Sequence, residues 1–146
     1  MKCRFLEFLY FITAFIMKLF TIARRNLGTM IVTGSNSGIG KATATELARR
    51  GAKVILACRD VNSALQAKEE IHEKTQVPDE MVVCHNLDLT SLKSVRRFAN
   101  RVGAEQIDVL INNAGILPPP KCQVTVDGFE VTFQTNFLGS YHNPSI

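Results

Sequence analysis

The sequence has no tryptophan and only two tyrosines, and its four cysteines (Cys3, Cys58, Cys84, Cys122) include no Cys-x-x-Cys pair. The three histidines, His72, His85 and His142, form no ligand cluster with them. That spacing offers neither a zinc site nor a disulfide framework, and it reads as free thiols in a reducing compartment. There is no low-complexity tract and no repeat beyond a strand–helix unit. Charge of one sign is also missing from most of the chain. The net charge of +4 comes from residues 1–29, which hold five basic residues against Glu7, while residues 30–146 hold twelve of each sign. A nucleic-acid partner is therefore not expected, because the globular part carries no excess positive charge. With 146 residues, 46% hydrophobic and 21% charged, the composition is that of one globular domain with a real core.

What the chain does have begins with an apolar leader. Five of the nine phenylalanines fall within residues 5–20, and Phe8 to Met17 carries no charge. Phe5 to Ala23 is a borderline membrane span, with Glu7 and Lys18 near its ends. It reads first as an uncleaved anchor over residues 1–27. A cleaved secretory signal and a helix lying in the membrane interface are the alternatives. Basic residues flank both ends, with a slight lean toward a cytosolic body.

From Gly28 the pattern changes to alternating strands and helices. Strands are expected at Met30–Thr33, Lys53–Cys58, Met81–His85 and Ile107–Ile111. Helices are expected at Lys41–Arg50, closed by Gly51; from an Asp60 cap to about Lys74; from Thr90 or Ser91 to about Val102; and from Val126 to Leu138. In the last of these, Phe129, Phe133 and Phe137 repeat every fourth residue and read as core packing. The strands are apolar throughout rather than alternating, which indicates a parallel sheet covered on both faces. The expected fold class is thus α/β, a doubly wound parallel sheet of about four strands, preceded by an amino-terminal hydrophobic helix.

Between the first strand and first helix lies Thr33-Gly34-Ser35-Asn36-Ser37-Gly38-Ile39-Gly40. In that context the glycines allow a tight turn, close approach of backbone to a pyrophosphate, and close packing of helix on strand. The helix's free N–H groups then face the phosphates. It is not a P-loop, since Gly40-Lys41 is followed by Ala42. The second strand ends in Arg59, where a site for NAD would carry a carboxylate; a guanidinium suits a 2′-phosphate. The cofactor expected is therefore NADP(H), with Asp60 read as a helix cap more than a ribose ligand. No metal site is expected.

Together with Asp88 after the third strand and Asn112-Asn113-Ala114-Gly115 after the fourth, this spacing resembles the short-chain dehydrogenase/reductase family. The stretches Ala57-Cys58-Arg59-Asp60, Leu87-Asp88-Leu89 and Asp127-Gly128-Phe129-Glu130 resemble its retinol dehydrogenase-like branch. The resemblance covers Gly28 to Gly139 and implies a partial Rossmann domain over residues 28–139 with a divergent tail at 140–146. It implies that Asp88, with Leu89 beside it, meets the adenine amino group. Asn113, Ala114 and Gly115 would line the ribose and nicotinamide side, and Asn136 would match the asparagine of the catalytic tetrad. Read without the resemblance, Asp88 is an ordinary strand-end acid and Asn136 a locally bonded helix residue. The implied activity is an NADP(H)-dependent oxidoreductase acting on retinol- or retinal-like or other lipophilic alcohols and carbonyls. The implied location is the endoplasmic reticulum membrane, with the body facing the cytosol. The family's serine, and its tyrosine with a lysine four residues later, find no match: Tyr141 is followed at that spacing by Ser145. The chain thus reads as a fragment or short isoform. Taken alone it is expected to be inactive, with a non-catalytic nucleotide-binding or interaction module as the alternative. Its apolar fourth strand, left at an edge, would favour pairing with another chain, a homo- or hetero-oligomer.

Overall fold

Strand β1 (Thr29–Thr33) runs into helix α1 (Gly38–Arg49), and β2 (Lys53–Cys58) into α2 (Val61–Thr75). Strand β3 (Val82–Asn86) is followed by α3 (Leu92–Val102), and β4 (Val109–Ile111) by a long loop and a closing helix α4. α4 comprises Val131–Phe133, a π-helical turn at Gln134–Leu138, and Gly139–Tyr141. The computed structural model describes residues 27–141. The expected anchor and the last five residues of the expected tail lie outside the described residues. Among the described residues no helix is long and apolar enough to cross a membrane.

The strands form one parallel sheet in the order β3-β2-β1-β4, with Ile31 paired to Ile55 and to Leu110, and Ile55 to Val83. This is the Rossmann-like parallel α/β sheet that the apolar strands predict. Its two faces have separate cores. Val32, Val54 and Leu56 point to one face, with Ala44 and Leu47 of α1 and Ala64 and Ile71 of α2. Ile31, Ile55 and Ala57 point to the other, with Val95, Phe98 and Val102 of α3. Each such side chain is almost fully buried, worth about 1.5–3 kcal/mol apiece for the larger aliphatics.

Local chemistry sets the boundaries. Asp60 caps α2 as expected, accepting from the N–H groups of Asn62 and Ser63. Ser91 caps α3 by accepting from Ser94 N–H. Gly51, at φ +90°, follows the end of α1. α2 ends on Gln76, a non-glycine at φ +56°, where no residue type signals a left-handed cap.

Two expectations fail at the carboxyl end. The last helix begins at Val131, five residues later than expected. Thr125 and Phe129 close a small turn (Thr125 N–H to Phe129 O, 2.8 Å), with Gly128 at φ +85°. Glu130 then caps the helix through the N–H groups of Thr132 and Phe133. The phenylalanine stripe is not core: Phe129, Phe133 and Phe137 are exposed, and Phe137 stacks between Phe133 and Tyr141. The face of α4 turned inward is the polar one, with Gln134, Thr135 and Gly139 buried. Gly139 presses on Leu89, where an added Cβ would stand 2.7 Å from the Leu89 carbonyl oxygen.

Candidate functional site

A cavity of about 550 Å³ opens at the carboxyl ends of the strands. Chain order reverses there: β2 lies on one side of β1 and β4 on the other. Such a switch point is where loops diverge and leave a crevice in an open parallel sheet.

The β1–α1 turn supplies its floor. Gly34, Asn36, Ser37, Gly38, Ile39 and Gly40 all line the cavity. Ser37, the N-cap of α1, makes no side-chain capping bond. The first amide to find a carbonyl is that of Lys41, bonded to Ser37 O at 3.1 Å. The helix therefore opens on the cavity with uncapped N–H groups and the positive end of its dipole. Gly40 is required by crowding, since a Cβ there would stand 2.4 Å from Asn113 Nδ2 and 2.5 Å from Gly34 O.

Ser35 differs from its neighbours. It is fully buried, donates to Val32 O at 2.8 Å and touches Cys58 Sγ at 3.5 Å, so its side chain faces the core rather than the cavity. Asn113 faces both ways. It lines the cavity, while its Nδ2 donates to Thr33 O at 2.8 Å. Thr33 Oγ1 in turn accepts from the N–H groups of Asn113 and Ala114, at 3.0 and 2.9 Å. The end of β4 is thus tied to the glycine turn. Thr33 was not singled out from the sequence, although a hydroxyl on the last strand residue before a glycine turn was the available signal.

On the wall formed by β2 and β3 stand Arg59, Asp60, Asp88 and Leu89. The Asp60 carboxylate is occupied as a cap, and its hydrogen bonds from Ser63 and Asn62 hold its pKa below the ordinary value. Asp88 Oδ1 accepts from Thr90 N–H and Oγ1, at 2.9 and 2.7 Å, and its own N–H rests on Ser94 Oγ at 3.0 Å. One carboxylate oxygen of Asp88 is therefore committed to the turn. Among the described residues the Arg59 guanidinium makes no hydrogen bond or ion pair; its backbone carbonyl accepts from Asn86 Nδ2 at 2.8 Å. Gly115 also lines the cavity.

Asn136 is not among the lining residues. Its Oδ1 accepts from Ile116 N–H at 2.8 Å and its Nδ2 donates to Ile116 O at 3.0 Å. It clamps the chain leaving β4, and Ile116 and neighbouring Thr135 face the cavity in its place. A second network lies behind it. Asp127 Oδ2 accepts from Leu92 N–H at 2.8 Å and from Gln134 Nε2 at 2.7 Å, while Thr125 Oγ1 bonds Gln134 Oε1. Those contacts hold the Asp127 pKa down, the Leu92 amide first. Among the described residues no group of His, Cys, Asp and Glu side chains could hold a metal ion.

Sheet order, switch-point crevice and uncapped helix start define an α/β domain of the Rossmann type. The family profile described as short chain dehydrogenase matches residues 28–143. Retinol dehydrogenase 13 of Mus musculus is 49% identical over 115 residues, covering 77% of this chain and 34% of that protein. Retinol dehydrogenase 12 of Bos taurus is 43% identical over 145 residues, covering 94% of this chain and 45% of that protein. Among solved structures, a short-chain dehydrogenase from Sphingobium yanoikuyae in complex with NADPH aligns with a TM-score of 0.67 at 28% identity, over 80% of this chain and 45% of that one. The chain belongs to the short-chain dehydrogenase family, in its retinol dehydrogenase-like branch. It spans less than half the length of these curated relatives.

Proposed function

We propose that this chain is the NADP(H)-binding portion of a short-chain oxidoreductase whose whole form acts on retinol- or retinal-like, or other lipophilic, alcohols and carbonyls. The observation that carries the cofactor reading is Arg59. A guanidinium without a protein partner stands at the wall of a cavity whose floor is an uncapped helix start. A diphosphate would meet the amides of Gly38, Ile39 and Gly40, and a 2′-phosphate would give Arg59 the paired acceptor it lacks. Asp88 would meet the adenine edge through the carboxylate oxygen not used by Thr90. Asn113, Ala114 and Gly115 would border the ribose and nicotinamide. When bound, the nicotinamide supplies or takes a hydride at the substrate carbon. Ser35 and Asn136 would act by position only, Ser35 by seating the turn and Asn136 by fixing Ile116 at the rim.

The division proposed is a membrane-anchoring leader at 1–27, the cofactor domain at 28–139 and a tail at 140–146, with the body on the cytosolic face of the endoplasmic reticulum membrane. A second reading, a nucleotide-binding or interaction module without turnover, is favoured by one observation: Tyr141 has Ser145, not lysine, four residues on. The relay needs a tyrosine hydroxyl beside a cation that lowers its pKa.

Calorimetric titration of the full chain with NADPH and NADH tests the cofactor assignment. NADPH is expected to bind about tenfold or more tighter, as charge-assisted hydrogen bonds to a phosphate require. Arg59→Asp removes that preference. Equal binding of the two nucleotides, or no binding, overturns the assignment. The chain alone is expected to give no retinol-dependent reduction of NADP above a mock control.

A further inference from the structure

Arg59 is the first residue beyond β2, so the sheet ladder does not hold its carbonyl. A side chain does. Asn86, the last residue of β3 and the register partner of Cys58, donates from Nδ2 to the Arg59 carbonyl oxygen at 2.8 Å. One residue earlier, Leu87 N–H donates to Cys58 O at 2.9 Å. Two successive carbonyls leaving β2 are thereby held from β3. On the other side Asp60 is fixed as well, its Oδ1 taken by the N–H groups of Asn62 and Ser63 and its Oδ2 by Ser63 Oγ at 2.8 Å. The Arg59 backbone is pinned at both ends while its guanidinium stays unpaired. Asn86 is exposed and does not line the cavity, so it would touch Arg59 and not the nucleotide.

We infer that Asn86 is a specificity-determining positioning residue: its amide fixes the peptide plane after Arg59, and so aims the Arg59 guanidinium at the 2′-phosphate of the nucleotide. The physical reason is leverage. Arg59 reaches the cavity on a long, rotatable side chain, so a turn of the backbone at its root sweeps the guanidinium through a wide arc. A planar fork matched to phosphate oxygens loses its paired geometry under such a displacement. Nucleotides lacking the 2′-phosphate make no use of that aim. Asn86 therefore acts on the ratio of two affinities rather than on binding as a whole. The inference rests on the NADP(H) reading above and adds to it the device that makes Arg59 selective.

The test uses two fragments that differ at the relevant site, 2′,5′-ADP and 5′-AMP, titrated calorimetrically into the full chain and into Asn86→Leu, Asn86→Gln and Arg59→Ala. Asn86→Leu keeps size without the donor. It is expected to lower the preference for 2′,5′-ADP about fivefold, the worth of one net hydrogen bond, with 5′-AMP affinity unchanged. Asn86→Gln, which keeps the amide donor, is expected to recover part of the preference. Arg59→Ala abolishes it. If Arg59→Ala abolishes the preference but Asn86→Leu leaves it within twofold, the role of Asn86 is overturned and the cofactor reading stands. If Asn86→Leu weakens both fragments equally, Asn86 merely supports the cleft and the inference is likewise overturned. If the unmodified chain shows no preference, the cofactor reading itself fails. The thermal midpoint of each variant, measured alongside, identifies one that has lost its fold; Asn86→Gln then carries the comparison.

Discussion

At Gly40 an added Cβ would strike backbone and a hydrogen-bonded amide, Gly34 O and Asn113 Nδ2. At Gly38, two residues earlier, it would meet nothing within 4 Å, but the backbone sits at φ +53°. Gly40→Ala is therefore expected to cost about 3 kcal/mol, the upper end of overpacking, and to uncouple Asn113 from the turn. Gly38→Ala should cost only about 1 kcal/mol, the strain of a left-handed residue. Urea denaturation of the two variants checks the order, and equal losses would contradict it. His85 supplies the pH dependence. Its ring meets Phe98 edge-on at 6.4 Å, its Nδ1 is buried without a hydrogen-bond partner, and Lys53, Arg101 and Glu105 carry the charges around it. Burial first, then the Arg101 charge, holds its pKa below the ordinary 6.5. The folded chain thus refuses a proton that the unfolded chain accepts, so stability is complete above about pH 6.5 and falls as pH drops through that value. Asp60, Asp127 and Glu130 have lowered pKa values, so their contributions are lost only below the ordinary carboxylate range of 3.8 to 4.5. Denaturation midpoints should decline from pH 7.5 to 5.5, and His85→Gln should flatten that decline.

At the scale of elements, α3 hangs on one side chain. Phe98 is 2% exposed and is the largest side chain in the core on its face of the sheet, among Ile31, Ile55, Val95 and Val102. Phe98→Ala is expected to cost about 3–5 kcal/mol, read as a lowered denaturation midpoint. Elements of this kind were legible in the sequence because burial repeats there with one period. β1 to β3, α1 to α3 and the glycine turn stand within a few residues of where apolar runs and caps put them. The exception is α4, where the same periodicity rule pointed the wrong way. A stripe of Phe129, Phe133 and Phe137 implies an inward face, yet Gln134 is the residue fully buried. Gln134 bonds Asp127 and Thr125 and so satisfies its amide inside, and Gly139 lets the helix approach Leu89. Those partners lie seven, nine and fifty residues away in sequence, beyond the reach of any local pattern. The site divides in the same way. Its glycines and Arg59 announce themselves through strand–turn–helix context. Ser35 pointing into the core, Asn136 clamping Ile116 and Asn86 holding Arg59 depend on contacts across 20 residues or more.

For the whole molecule, the two faces of the sheet are not equally finished. α1, α2 and α3 bury their sides of β1, β2 and β3, but among the described residues β4 pairs with β1 alone. Val109 on that edge is 38% exposed. Beyond it the stacked Phe133, Phe137 and Tyr141 stand 50, 56 and 75% exposed. An apolar edge strand and an aromatic stripe both favour association. The opposing force is weak, because residues 30–146 carry equal numbers of acidic and basic side chains and so little mutual repulsion. The chain is expected to associate with rising concentration, and the aromatic stripe is the part that can be changed without touching the core. In Phe133→Ser/Phe137→Ser about half of each lost ring is already in water, so stability should fall by about 1–3 kcal/mol, less than two fully buried phenylalanines would cost, whereas self-association should fall. Sedimentation velocity of this chain and of the variant over a tenfold concentration range separates these effects, with the leader common to both. Identical concentration dependence would move the cause away from α4, to the β4 edge or the leader. A variant that stays monomeric and still unfolds cooperatively would place it on the stacked aromatic face.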